Sequence, residues 1–229
     1  MSTDDRIRWD RQHGSSRDAE PPSAFLRMIL ESDAGPALSG NALDIACGKG
    51  RNAEPPSAFL SMILESDAWP ALSGNALDIA CGKGRNAIYL AQRGFAVTAL
   101  DISAFALAEG RRRARQQDLP IDWHRCDLES SEPAFAAGDF DLIINFNYLQ
   151  RALIRPMQQA LKPGGHVIFE TYLIDQAAVG HPTNPDYLLR HNELLESFDD
   201  FRVLFYREGK FADGGTEAFR AAIFAQRND

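Results

Sequence analysis

Residues 77–103 read LDIACGKGRNAIYLAQRGFAVTALDIS, and this stretch decides the fold. Its apolar start is typical of a buried strand, and Gly82 and Gly84 then permit a tight turn. The apolar spacing of 87–93 predicts a helix, and 96–101 predicts a second strand. A strand, a helix and a strand in this order predict two parallel strands joined by a crossover helix.

The same alternation continues towards the end of the chain. The last two predicted strands follow each other closely, which predicts an antiparallel edge. We therefore predict an α/β fold with a Rossmann-like, doubly wound sheet of seven mostly parallel strands and an antiparallel edge strand. The further predicted strands are 121–126, 140–146, 166–171, 201–208 and 218–225, and the further predicted helices are 104–117, 153–161 and 187–198.

The composition disfavours several classes of protein. The chain has 229 residues, a formal net charge of -8 and 45% hydrophobic residues, which is enough for one packed α/β domain. The acidic balance argues against nucleic acid as a partner. There is no apolar run of membrane-spanning length, no signal-peptide pattern and no metal-ligand spacing among the three cysteines. We therefore expect a cytoplasmic protein with no metal site and no membrane partner.

A tandem repeat near the N-terminus bears on how many residues the domain needs. Residues 19–52 are followed at once by 53–86, and the two strings differ at only two positions. Solenoid repeats drift in sequence and come in larger numbers, so this pair is typical of a recent duplication, natural or engineered. We expect an N-terminal arm at 1–18, a duplicated segment at 19–52 that is surplus in part, and one ligand-binding domain at 53–229.

The second copy is expected to supply the working strand and loop. A helical pattern follows Asn86, whereas Pro55 and Pro56 follow the first copy and disfavour a helix there. The preceding helix is ambiguous, because 23–32 and 57–66 have nearly the same apolar face. A surplus segment would expose apolar surface, which could promote a homodimer.

Polar residues stand at the predicted carboxyl ends of the strands, where such sheets bind ligands. The loop from Gly82 to Gly84 opens into a helix whose first amides are free for a ligand. Asp101 follows Gly82 by 19 residues, the distance at which an acid accepts hydrogen bonds from ribose hydroxyls. Asp127 ends the third strand, and Asn145 the fourth. This set predicts a nucleoside-binding site.

The same loop also satisfies the dinucleotide fingerprint, as Gly82-x-Gly84-x-x-Ala87. Two residues weigh against that interpretation. Asp78 would repel a pyrophosphate but attract a ligand ammonium group, and Cys81 interrupts the small apolar residues usual in a dinucleotide site. An NAD(P)-dependent oxidoreductase therefore remains an alternative.

Three stretches resemble the class I S-adenosylmethionine-dependent methyltransferases, and within them the small tellurite-resistance-like group. They are residues 77–103, FDLIINFNYLQRAL at 140–153 and LKPGGHVIFETYL at 161–173. The resemblance implies S-adenosylmethionine as the cofactor, with the methionine part held by the glycine loop, the ribose by Asp101 and the adenine by the residues after the second and third strands. The cofactor-binding residues that it implies are Asp78, Cys81, Gly82, Gly84, Arg85, Asn86, Asp101, Ile102, Asp127, Leu128 and Asn145.

Candidates for catalysis are fewer. Methyl transfer from a sulfonium needs positioning above all, and a general base only when the acceptor carries a proton of high pKa. The candidate catalytic residues are Asn145, Tyr148 and His181; Glu170 and His191 are further candidate bases, and Arg151 could hold an anionic acceptor or form a structural ion pair.

The sequence thus predicts an enzyme that transfers a methyl group from S-adenosylmethionine to a small molecule. The acceptor cannot be read from the residues, although the resemblance points to metalloid oxyanions or small soft nucleophiles. The loop 181–185 is a candidate lid. A third hypothesis is a non-catalytic binding or dimerising protein whose site the duplication disturbs.

Overall fold

A computed structural model of the chain describes residues 55–69, 71–129, 135–213 and 216–229. The predicted arm 1–18 and the first copy of the repeat, 19–52, lie outside the described residues. Within the described ranges, no helix has the length and apolar character needed to cross a membrane.

Strands and helices alternate along the described chain as the periodicity predicts. The helices are α1 Ala58–Leu64, α2 Arg85–Gln92, α3 Ala104–Arg115, α4 Arg151–Ala160 and α5 Glu193–Ser197, with 3-10 turns at Ile174–Ala178 and Pro185–Tyr187. The strands are β1 Asn75–Ile79, β2 Ala96–Asp101, β3 Ile121–Arg125, β4 Phe140–Phe146, β5 Leu161–Tyr172, β6 Arg202–Asp213 and β7 Thr216–Gln226.

The seven strands form one sheet in the order β3-β2-β1-β4-β5-β7-β6. The first five strands of this order pair in parallel, and β7 pairs antiparallel with both β5 and β6. This confirms the predicted fold class. The antiparallel strand β7 lies between β5 and β6, so both antiparallel pairings are at the same end of the strand order.

The second copy of the repeat supplies the centre of the sheet. Strand β1 pairs with β2 through Leu77 and Thr98 and with β4 through Leu77 and Ile143. Because the strand order reverses between β1 and β4, the loops that follow these strands diverge and leave a crevice at their carboxyl ends. The helix of the second copy, α1, also docks on the domain and buries Phe59 and Leu60.

Two apolar layers cover the faces of the sheet. On one face α4 and α5 bury residues such as Leu153 and Leu194 against Leu77 of β1. On the other face α1, α2 and α3 bury residues such as Leu90 and Leu107 against Ala76. Neighbouring residues of β1 thus face opposite layers, as the period of a strand requires.

The predicted helix 187–198 is wrong for its first half. The backbone of Leu189 is extended, and it accepts from Ile174 and donates to the Tyr172 carbonyl, both at 2.8 Å. This bridge buries Leu188 and Leu189 against β5, and Asn192 then adopts a left-handed φ of 61°. Tertiary burial of the two leucines therefore outweighs the local helical pattern, and only α5 remains helical.

Candidate active site

A cavity of about 450 Å³ opens at the carboxyl ends of β1, β2, β3 and β4. Ten residues selected from the sequence line it together, although they come from four separate segments of the chain. They are Asp78, Cys81, Gly82, Arg85, Asn86, Asp101, Ile102, Asp127, Leu128 and Tyr148.

The loop between β1 and α2 depends on left-handed backbone at three positions. Ala80, Gly82 and Gly84 have φ values of 54°, 56° and 74°. A Cβ built on Gly82 would meet no atom within 4 Å, so this side of the loop faces open space. The missing side chain at Gly82 therefore leaves room for a ligand beside the backbone.

Gly84 serves packing instead and does not line the cavity. A Cβ at Gly84 would lie 2.2 Å from the Trp123 ring of β3, and one at Gly110 of α3 would lie 2.6 Å from the same ring. The two glycines let the indole pass between α2 and α3 beneath the loop. The sequence assigns Gly84 to the cofactor, whereas in the structure its contact is with Trp123.

Asp78 is a buried acid on the lining of the cavity. Its carboxylate is 2% exposed, it lines the cavity, and its Oδ2 atom has no hydrogen-bond partner. Burial raises its pKa to about 8, against the lowering effect of the Ala87 backbone N–H and with a further increase from the charge of Asp101. A buried, unpartnered carboxylate oxygen is costly, so this atom calls for a cationic donor from the cavity.

Asp101 joins the end of β2 to the glycine loop. Its two carboxylate oxygens accept from the backbone N–H groups of Gly82 at 2.7 Å and Ser103 at 2.8 Å. Asp101 also lines the cavity beside Ile102. The two residues that stand 19 positions apart in the sequence are thus in direct contact, and both line the cavity.

Asn86 connects the loop to the N-terminal segment. Its Oδ1 accepts from the backbone N–H of Ser57 at 2.8 Å, just before α1. The side chain is 5% exposed and still contributes to the cavity lining. The helix of the second repeat copy is therefore tied directly to the loop of the same copy.

Two free thiols, Cys81 and Cys126, line the cavity. Burial and the nearby carboxylates of Asp78 and Asp101 hold the pKa of Cys81 well above its usual range. Burial and Asp127 raise the pKa of Cys126. Because thiolates are the reactive form, both thiols are poor nucleophiles in this setting.

The last residue of β4 and the two residues after it form a second side of the cavity, which we call the β4 wall and define as 146–148. Asn145 lies beneath this wall and not on the cavity surface: its Nδ2 donates to the Tyr148 carbonyl at 2.8 Å, and its buried Oδ1 has no partner. Burial and the charge of Glu129 raise the pKa of Tyr148, so its hydroxyl stays protonated at neutral pH.

The other predicted polar residues lie outside the cavity lining. His181 is in the exposed loop after the first 3-10 turn, where Gln176 donates to its carbonyl at 3.0 Å. His191 precedes α5 and pairs with Asp175 at 2.5 Å. Glu170 is fully buried in β5.

Arg151 forms a structural ion pair. Its Nε and Nη2 contact the two carboxylate oxygens of Glu193 at 2.6 and 3.0 Å, and it also donates to the carbonyls of Asp186 and Leu188. Burial opposes ionisation of Glu193, but hydrogen bonds from Arg151 and Arg190 outweigh it and hold its pKa at about 2. Of the two roles predicted for Arg151, the structure shows the ion pair.

Several residues that line the cavity were not predicted from the sequence. Motif spacing gives no signal for Ala80, Lys83, Cys126 or Glu129, because they stand between the motif positions. For the β4 wall a signal exists: the polar pattern after the fourth strand runs past Asn145 to Asn147. The missed lining residues are Ala80, Lys83, Cys126 and Glu129, whereas Phe146 and Asn147 belong to the stretch 140–153 already noted in the sequence.

A family model for a methyltransferase domain matches residues 76–165. This range contains β1, the glycine loop, Asp101 and the β4 wall. Residues 76–165 thus match a methyltransferase domain. The match supports the enzyme class predicted from the sequence.

The methyltransferase domain has curated relatives over part of its length. It is 32% identical over 87 residues to the ubiquinone biosynthesis O-methyltransferase of Cronobacter sakazakii, which covers 36% of this chain and 35% of that relative. The chain thus matches little more than a third of the length of this relative.

Solved structures resemble the methyltransferase domain over most of the described chain. TehB from Haemophilus influenzae superposes with a TM-score of 0.59 at 23% identity, over 67% of this chain and 57% of that one. An S-adenosylmethionine dependent methyltransferase from Mesorhizobium loti gives a TM-score of 0.57 at 21% identity, over 73% of this chain and 98% of that one. These similarities establish the fold.

Proposed function

We propose that this chain transfers a methyl group from S-adenosylmethionine to a small molecule. The observation that carries the proposal is Asp78, a buried carboxylate with an unpartnered oxygen on the lining of the cavity. The ammonium group of the methionine part is a donor of the charge and type that this oxygen requires.

The remaining lining residues suit the other parts of the cofactor. Gly82 leaves open space beside the loop, so the methionine chain can pass close to the backbone. Asp101 can share its carboxylate between the Gly82 N–H and the ribose hydroxyls. Ile102, Asp127 and Leu128 line the cavity beyond β2 and β3, and we assign the adenine to them.

The dinucleotide alternative fits this lining less well. A pyrophosphate bound at the loop would lie near Asp78 and Asp101, which both line the same cavity. A pyrophosphate beside a buried carboxyl opposes its ionisation and gives its unpartnered oxygen no cationic donor, which is unfavourable. An NAD(P)-dependent reaction is therefore the weaker hypothesis, and a direct binding comparison separates the two.

Positioning is the main contribution of the protein to the proposed reaction. When bound, S-adenosylmethionine supplies a methyl group on a positively charged sulfur that a nucleophile can displace in line. The β4 wall confines the acceptor opposite the glycine loop. Tyr148 can donate a hydrogen bond there, since the raised pKa keeps its hydroxyl protonated. His181 stays a prediction as a catalytic residue.

The acceptor is proposed only as a small molecule that fits beside the cofactor in the cavity. The O-methyltransferase relative suggests an oxygen nucleophile, and the similarity to TehB suggests the small-molecule group predicted from the sequence. A cytoplasmic location, a homodimer promoted by the repeat and a disturbed, non-catalytic site remain predictions.

The test is calorimetric titration of the full chain with S-adenosylmethionine, S-adenosylhomocysteine and NAD. We expect micromolar binding of the first two and none of NAD.

The variant Asp78→Asn should bind S-adenosylmethionine at least tenfold more weakly, because it loses the charge opposite the ammonium group. Asp122→Asn is the matched control, since the Asp122 side chain is 70% exposed on β3. Binding of NAD alone would replace the proposal with the oxidoreductase, and no binding at all would favour the non-catalytic hypothesis.

A further inference from the structure

A network of buried charged and polar groups lies behind the β4 wall. Glu170 at the carboxyl end of β5 is 0% exposed, and Arg220 on β7 is 4% exposed. Nη1 of Arg220 lies 3.4 Å from Oε1 of Glu170, and Nη2 of Arg207 lies 3.4 Å from Oε2. The sequence motifs give no reason for charges at this depth.

Arg220 reaches from this network to the cavity. Its Nη1 donates to Oδ1 of Asn147 at 2.5 Å, and its Nη2 donates to the Tyr172 hydroxyl at 3.0 Å. Its guanidinium carbon lies 4.3 Å from the centroid of the Tyr172 ring. The guanidinium is thus fixed by an aromatic face, a hydroxyl and a carboxylate, and it offers a rigid donor to Asn147.

The backbone of Asn147 is fixed by the same strand. Its N–H donates to the Glu170 carbonyl at 2.9 Å, and its φ is 58°, a left-handed value that asparagine tolerates better than most residues. Asn147 therefore has both its backbone and one end of its amide held from behind, while the residue lines the cavity.

The chemistry of the guanidinium decides which end of the amide is held. Arginine has donors and no acceptor, so the oxygen of the Asn147 amide must face Arg220 and the NH₂ group must face away from it. The NH₂ group is therefore the end of the amide that points away from Arg220, and it can only donate.

We propose that Arg220 is a positioning residue that orients Asn147 so that its amide N–H groups donate into the cavity beside the bound methyl acceptor. Asn147 then recognises an acceptor that carries an oxygen with a free lone pair, such as a carbonyl, carboxylate or phenolic oxygen. This inference rests on the proposed function for the identity of the reaction, but the orientation of the amide is independent of it.

The energetics of buried ion pairs support a positioning role. An apolar replacement of such a pair is often as stable as the pair itself, so burial of Glu170 and Arg220 does not by itself stabilise the fold. Buried polar groups can instead select one conformation. Here the conformation selected is that of Asn147, the cavity residue to which the network donates.

The first part of the test observes the Asn147 side-chain amide by ¹⁵N NMR. Its resonance pair is identified by its absence in Asn147→Asp. We expect a dispersed pair in the wild-type protein, a collapse towards random-coil positions in Arg220→Met, and an intermediate position in Arg220→Lys, which keeps the charge opposite Glu170. Arg202→Met on exposed positions of β6 is the control and should leave the pair unchanged. An unchanged pair in folded Arg220→Lys and Arg220→Met would overturn the proposal. If Arg220→Met does not fold, the Arg220→Lys spectrum decides.

The second part tests the donor directly with two small probes of similar shape. Acetophenone has a carbonyl oxygen where α-methylstyrene has a methylene group. We expect acetophenone to shift the Asn147 amide pair and to bind about three- to tenfold more tightly than α-methylstyrene. Asn147→Asp retains the contact with Arg220 but lacks the donor, so it should lose this preference. Equal affinities, or an unmoved amide pair, would overturn the recognition role.

Both parts are run with and without saturating S-adenosylhomocysteine. If the proposed function fails, calorimetry shows no binding of this compound, yet the orientation of Asn147 is still decided by the spectra without it. If only the present inference fails, S-adenosylhomocysteine binds normally while the amide pair is insensitive to Arg220. The two failures therefore give different results.

Discussion

The backbone N–H of Gly82 donates to the Asp101 carboxylate at 2.7 Å, and this contact joins the ends of two neighbouring parallel strands. Gly82 follows β1 and Asp101 ends β2. The same carboxylate accepts from Ser103, so it holds the turn into α3 as well. Asp101 thus orders the glycine loop and also lines the cavity in which we propose that the ribose is bound.

The variant Asp101→Ala should bind S-adenosylmethionine more weakly. It removes the hydrogen bonds assigned to the ribose and loosens the glycine loop, so we expect a loss of about 1–3 kcal/mol in binding free energy. Calorimetric titration measures the change. Asp122→Ala, on an exposed position of β3, should have no effect, and an equal affinity of Asp101→Ala would refute the ribose assignment.

Titration of Asp78 should make both stability and cofactor affinity depend on pH. Its pKa rises from 3.8 in the unfolded chain to about 8 in the folded one, so the folded state binds more protons between these values. The free energy of unfolding contributed by Asp78 therefore falls as pH rises from about 4 to about 8. In Asp78→Asn this slope should be absent in denaturant titrations across that range.

Cofactor binding should have the opposite dependence. An ammonium group favours ionised Asp78, so below about pH 8 binding must release the proton from the carboxyl group. We expect the affinity to rise by up to about tenfold per pH unit from pH 6 to pH 8, a dependence that Asp78→Asn should lack. Proton release is measured by calorimetry in buffers of different ionisation enthalpy; the absence of release would contradict the assigned contact.

Alanine variants of three glycines with left-handed φ, Gly82, Gly84 and Gly94, should distinguish a role in ligand binding from a role in packing. At Gly94, where a Cβ meets nothing, alanine should cost only the backbone strain of about 1–2 kcal/mol. Gly82→Ala should cost a similar stability but also weaken S-adenosylmethionine, because the new methyl group enters the open side of the loop. Gly84→Ala should cost the most stability, since its Cβ would lie 2.2 Å from Trp123. Thermal unfolding and calorimetry of the three variants test this order.

The pair of Arg151 and Glu193 should contribute to stability near neutral pH. Arg151→Met leaves Glu193, whose side chain is 7% exposed, without its main partner; because the Arg151 side chain is itself 40% exposed, we expect a loss of about 1–3 kcal/mol. The lowered pKa of Glu193 means that its contribution is present above about pH 4.5 and is lost as the pH falls towards 2. Denaturant titrations at pH 7 and pH 3 should therefore differ less in Arg151→Met than in the wild type. Arg155→Met, at an exposed position of α4, is the control; a wild-type pH dependence in Arg151→Met would contradict the prediction.

Local sequence pattern predicted most of the fold and ten of the residues that line the cavity. The alternation of strand and helix periods predicted the sheet, and the spacing from Gly82 to Asp101 placed both residues at one cavity, where the structure also shows a contact of 2.7 Å between them that was not predicted. Such features are readable because they depend on residues near in sequence or on the fixed geometry of a strand, a turn and a helix. The helix predicted at 187–198 failed where long-range burial of Leu188 and Leu189 opposed the local pattern.

The sequence by itself therefore determined the doubly wound fold class, the position of the glycine loop and the presence of acids at the strand ends. Only the tertiary structure decided that Gly84 packs on Trp123, that burial raises the pKa of Asp78, and that Arg220 contacts Asn147. Arg220 and Asn147 are 73 residues apart, and no spacing rule links them. The physical reason is that burial, charge proximity and close packing depend on which elements become neighbours in space, and that is fixed only when the sheet and its two helical layers assemble.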